Sequence, residues 1–113
     1  MNKLGVAAEQ MAATYLQQQG LTLISQNFTC RYGEIDLIMR EGRMLVFVEV
    51  RLRSNARFGG AGMSITPAKQ HKLQRSAEYY LQQYGNSACR FDAVLMNKAS
   101  AEYIEWIKNA FDS

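Results

Sequence analysis

Three acids, Glu34, Asp36 and Glu49, are set among apolar residues where a carboxylate has to be explained. Glu34 to Arg40 forms one strand-like run and Arg43 to Arg53 another, with Glu41-Gly42 between them, which is the signature of a β-hairpin. With the turn centred on Glu41-Gly42, Glu34 is expected to face Glu49 and Asp36 to face Phe47, so that all three acids share one face. A three-residue loop would send Asp36 to the opposite face. Opposed side chains in a sheet sit about 5 Å apart, where two like charges repel by roughly 3 kcal/mol at an effective dielectric near 20. Compensation is therefore required, from Arg51 on the same face or from a bound cation. An all-oxygen donor set suits Mg²⁺, with Mn²⁺ as a substitute, and no His or Cys stands nearby to favour zinc. The competing explanation is a buried ionic cluster of Asp36, Glu49 and Arg51, with Glu34 at a solvated strand end. Such clusters are often no more stable than apolar packing, so a functional site accounts better for an acid inside Val-Phe-Val-Glu-Val.

The elements that must position these residues follow from periodicity. Leu4, Ala8, Met11, Ala12, Tyr15 and Leu16 mark one face of a first helix that stops at Gly20. Leu21 to Asn27 reads as a short strand, and Asn27 to Gly33 as a polar loop. The run from Met44 to Val50 is apolar at almost every position, as expected of a central strand covered on both faces. Ser54 to Ser64, with Gly59, Gly60 and Gly62, reads as a flexible connection. Thr66-Pro67 then caps and opens a crossover helix whose buried stripe is Leu73, Ala77, Tyr80, Leu81 and Tyr84 and whose stop is Gly85. Strands over Arg90 to Met96 and Tyr103 to Ile107 follow, and the tail to Ser113 reads as a short helix. The expected order is αβββαββ, an α/β fold with a mixed sheet flanked by helices, in one domain over residues 1–113.

Composition narrows the function class. Thirteen Lys plus Arg against ten Asp plus Glu give a formal charge of +3, a mild basic excess that suits a polyanionic partner. No stretch is long and apolar enough for a membrane span or a signal peptide, since Glu9 and several Gln interrupt the first twenty residues. Cys30 and Cys89 stand far apart without CxxC spacing, so free thiols in a cytoplasmic protein are expected, with neither a zinc site nor a disulfide scaffold.

Asp36, twelve residues, then Glu49-Val50-Arg51 resembles the PD-(D/E)xK nuclease motif. Longer stretches carry a fuller resemblance: Gly5 and Ala8-Glu9, Gly33 to Ile38, Val46 to Arg51, and Arg90-Phe91-Asp92. Over about four-fifths of its length the chain is similar to the YraN family of bacterial proteins, which looks related to the archaeal Holliday-junction resolvases. The resemblance implies a restriction-endonuclease-like fold in which Asp36, Glu49 and the carbonyl of Val50 hold the metal. It also implies that an acid on the first helix completes the site. Glu9 is that acid here, and the helical reading independently puts it beside Ala12 and Leu16 at the edge of the buried stripe. The chain departs from the motif at Arg51, where many such nucleases carry Lys. A guanidinium cannot act as a general base at ordinary pH, though it can hold a phosphate bidentately or offset developing charge.

Lys69, Lys72 and Arg75 occupy one flank of the second helix, and with Arg51, Arg53 and Arg57 they form a candidate phosphate-binding surface. Asp92 is a candidate partner for a basic residue of the site, with a strand-end cap as the other explanation. His71 faces away from the buried stripe and carries no assignment. The tyrosines and Trp106 suit a core or a dimer surface better than base stacking. The expectation is a Mg²⁺-dependent nuclease cutting structured or branched DNA, with a symmetric dimer suited to junctions. The alternative is a catalytically inactive nucleic-acid-binding module of the same fold.

Overall fold

A computed structural model describes residues 3–53, 65–97 and 100–111, and the element order is the expected αβββαββ. Helix α1 spans Lys3–Gln18 and is followed by β1 (Thr22–Cys30), β2 (Gly33–Glu41) and β3 (Met44–Arg53). Helix α2 covers Pro67–Tyr84, and β4 (Cys89–Asn97) and β5 (Ser100–Phe111) complete the sheet. The glycine-bearing connection over 54–64, which includes Arg57, lies outside the described residues.

The five strands lie in sequence order, with β3 parallel to β4 and every other neighbour antiparallel. A parallel step cannot be made by a tight turn, and α2 is the crossover that supplies it. Thr66 caps α2 by accepting the Lys69 N–H, Pro67 sits in its first turn, and Gly85, with φ 106, ends it. Each helix covers one face of the sheet. Ala8, Ala12, Ala13 and Leu16 of α1 pack on Leu37, Met39, Val46, Val48, Val94 and Met96. Leu73, Ala77 and Tyr80 of α2 pack on Ile35, Ile38, Leu45, Phe47, Phe91 and Ala93. The central strand thus sends Val46 and Val48 to one layer and Phe47 to the other, so its unbroken apolar run follows from burial on both sides. This helix–sheet–helix arrangement is the architecture of a restriction-endonuclease-like fold.

Three expectations are corrected. The loop assigned to Asn27 to Gly33 is strand as far as Cys30, because this polar edge segment is held by its ladder with β2 rather than by alternation of its own. The tail is no helix within the described residues, since β5 runs to Phe111. The hairpin register also differs: Phe47 opposes Ile38, not Asp36, because the two-residue loop is Gly42-Arg43 with Gly42 at φ 61. The displacement is by two in the sum of paired numbers, and the strict alternation of faces itself breaks at Asp36, since Ile35 and Leu37 lie in opposite layers. Continued past Leu37–Val48, the observed register sets Asp36 across from Glu49, and Glu34 no longer faces Glu49.

Candidate functional site

Both ladders of β2 are interrupted at Asp36. On one side, Asn27 and Asp36 fall between the Gln26–Leu37 and Phe28–Ile35 pairs, and Asn27 has the left-handed φ of 54 that Asn tolerates better than most side chains. On the other side, pairing with β3 ends at Leu37–Val48. Beyond that point the strands part, and the Val50 N–H donates instead to Asp36 Oδ2 at 2.8 Å. The two backbone groups of a strand residue point the same way, so the Val50 carbonyl also faces this gap.

Acids from two elements converge on Asp36. Glu49 of β3, 7% exposed, and Glu9 of α1, 9% exposed, are both buried acids. Burial, and after it the neighbouring Asp36 charge, push the Glu9 and Glu49 carboxyls up to about 7. The Asn27 side-chain amide hydrogen-bonds Glu9 and opposes part of its rise. Glu34 is a more distant influence on Glu9, and its own Oε2 accepts a hydrogen bond from Thr29 Oγ1 at 3.4 Å. Helix α1 therefore brings in the acid that the hairpin alone could not.

The cations gather on one oxygen of Glu49. Arg51 Nε stands 3.5 Å from Glu49 Oε2, an ion-pair distance without hydrogen-bond geometry, and Lys69 Nζ stands 3.8 Å from the same atom. Lys69 was expected on a phosphate-binding flank, yet the first turn of α2 delivers it to the carboxylates. It supplies an ammonium beside the position where the motif's Lys is replaced by Arg51. Lys72 and Arg75 lie further along the exposed side of α2, while the Arg53 side chain is outside the described set, as is Arg57.

Glu9 Oε1 and Glu49 Oε1 are buried without a hydrogen-bond partner among the described residues. Such oxygens are costly unless a proton or a cation satisfies them. Among the described residues no three His, Cys, Asp or Glu side chains close around a point as a ready-made ion cage. The donor set instead suits a hard cation that keeps several waters and takes only one or two carboxylates from the protein. Asp36, Glu49 and the Val50 carbonyl are the groups that would hold such an ion, and Glu9 interacts with Asp36.

Asp92 belongs elsewhere. It pairs with Arg90 Nε at 3.0 Å, accepts from Trp106 Nε1 at 2.9 Å and from the Asn109 N–H at 3.0 Å, and Arg90 reaches on to Glu41 at 2.6 Å. Its partner is Arg90 and not a basic residue of the site, and the network pins β5 to β4. Cys30 and Cys89 are free thiols on separate strands.

Residues 8–96 match the model of a family described as "Uncharacterised protein family UPF0102". The chain belongs to the UPF0102 family. A UPF0102 protein of Methylobacillus flagellatus is 53% identical over the whole length of both chains. One from Nitrosomonas europaea is 60% identical over 96% of this chain and 92% of its own. Another, from Neisseria gonorrhoeae, is 54% identical over 96% of this chain and 94% of its own. The UPF0102 match begins at Ala8, beside Glu9, and ends at Met96, so it takes in every site residue above. No described helix is long and apolar enough to cross a membrane.

Proposed function

We propose that this UPF0102 protein is a Mg²⁺-dependent nuclease that hydrolyses phosphodiester bonds in structured or branched DNA. The observation that carries the reading is the fork at Asp36, where Glu49 and Glu9 meet it and Lys69 and Arg51 face the same carboxylate. When bound, a divalent ion would supply positive charge against the phosphoryl oxygens and lower the pKa of water. Asp36, Glu49 and the Val50 carbonyl would hold the ion. Lys69 and Arg51 receive the scissile phosphate and offset the charge that develops as its P–O bond breaks. Glu9 restrains Asp36 and accepts or releases a proton near neutrality. A symmetric dimer would let two such sites address both strands of a junction, and the unpaired thiols agree with a cytoplasmic setting.

The test is a panel of junction, flap and linear DNA substrates incubated with Mg²⁺ or Mn²⁺, alongside calorimetry of metal binding. Cutting of branched DNA that disappears in Asp36→Asn is expected. A protein that binds neither ion refutes the reading. Arg51 at the motif's Lys position favours a second reading, an inactive nucleic-acid-binding module. DNA binding of steep salt dependence, with no product under either metal, would establish it.

A further inference from the structure

A second group of cations stands where the β1–β2 turn meets the exposed side of α2. Arg31, from the turn, and Arg75, from the helix, both bring their guanidinium carbons over the ring of Tyr32, at 5.2 and 4.7 Å. The ring is itself anchored. Tyr79 meets it at 6.2 Å, Phe28 lies against Tyr79 and Tyr80, and Tyr80 packs on the buried Phe47. The turn also lies flush on the helix, since a Cβ at Gly33 would come within 3.5 Å of Ser76 Oγ and 3.8 Å of Lys72 Cβ. Two long side chains that ordinarily lose rotamer freedom on gripping a ligand are thus held beforehand, and their planar forks remain free to donate.

Little opposes their charge. Arg31 has no carboxylate within ion-pair reach among the described residues, and Arg75 pairs with Glu78 at 3.9 Å where both are exposed, a contact worth little. Lys69, Lys72 and Arg75 recur every third residue of α2, so the backbone rises about 9 Å along the helix axis from the residue at Glu49 to the residue at Tyr32.

We infer that Arg31, Tyr32 and Arg75 form a phosphate clamp that grips a nucleic-acid strand, on the same helix that brings Lys69 to the carboxylate site. The inference rests on the nuclease reading for where the strand begins and on the clamp's own charge for the grip. Planar forks recognise phosphate oxygens two at a time.

The test is fluorescence anisotropy of labelled oligonucleotides of graded length in EDTA, so that no cutting intervenes. Combined Arg31→Gln and Arg75→Gln should weaken binding at least about tenfold. The slope of log affinity against log salt should become shallower by about 1.4 for single strands or 1.8 for duplex. Tyr32→Phe should bind as wild type and Tyr32→Leu should not, while Arg43→Gln, an exposed charge in the far hairpin turn, should leave the slope unchanged. Each arginine is also replaced singly, so that a folding failure of the pair does not blur the result. A wild-type slope in the double variant overturns the clamp and leaves the nuclease reading standing. Binding that follows the clamp's predictions with no cutting under any metal does the reverse. A wild-type protein that binds no nucleic acid at low salt removes both.

Discussion

Glu49 has two cations on one oxygen and, among the described residues, no hydrogen-bond donor on the other. Oε2 faces Arg51 and Lys69, while Oε1 is buried without a hydrogen-bond partner among the described residues, so in the proposed nuclease the side chain would hold the ammonium with one oxygen and offer the other to a metal. The division separates two measurable quantities. Lys69→Met is expected to lower the rate of DNA cutting by about a hundredfold to a thousandfold, the range for removing one preorganised charge donor. Its Mg²⁺ affinity by calorimetry should stay within about threefold of wild type. Glu49→Ala should lose both. Equal loss of metal affinity in the Lys69 variant would show that the ammonium serves only to orient the carboxylate. Hairpin and motif spacing pointed to Asp36 and Glu49 in the sequence, and the family resemblance pointed to Glu9, which the helical stripe placed at the edge of the buried face. Lys69 was legible only as one more charge on a helix, since twenty residues of chain separate it from Glu49.

Among the elements, β5 shows how a strand survives residues that do not look like one. Lys108-Asn109 interrupts the apolar rhythm, and Asn109 has φ 52, which would suit a turn. The buried Asp92 carboxylate captures the Asn109 N–H and the Trp106 indole and carries the chain on to Phe111, which pairs with Phe91. Removing that carboxylate leaves Arg90 beside an empty space. Asp92→Ala is expected to cost about 3 to 5 kcal/mol in denaturant unfolding, the range for breaking a buried pair. A loss under about 1 kcal/mol would mean that water replaces the carboxylate. The glycine stops, the Thr66-Pro67 cap and the continuous run in β3 were all readable because each is fixed by local stereochemistry or by burial. The end of β1 and the extension of β5 were not, because Ser25, Gln26, Asn27 and Thr29 have little pattern of their own and become strand through pairing.

At the scale of the molecule, the candidate site lies where the two helical layers meet through the sheet. Glu9 arrives from the α1 side, Lys69 from α2, and Asp36 joins them where β2 parts from β3. Concentrating acids in this junction couples global stability to pH. The Glu9 and Glu49 carboxyls are raised from 4.5 to about 7, so the folded chain holds protons that the unfolded chain has already released. Stability of the metal-free protein should therefore be greatest below pH 4.5 as far as these groups are concerned and fall as pH rises towards 7. A divalent ion competes with those protons, so Mg²⁺ should raise Tm more at about pH 8 than at about pH 5. An equal shift at both values would dissociate the ion from these acids. One hydrogen bond gives the same junction a local reporter. The Val50 N–H is held by Asp36, the side chain that a cation would engage, so the electron density at that acceptor changes when the ion arrives. In a nitrogen-15 spectrum the Val50 amide should move with Mg²⁺ titration and trace the saturation of the site without any substrate or turnover.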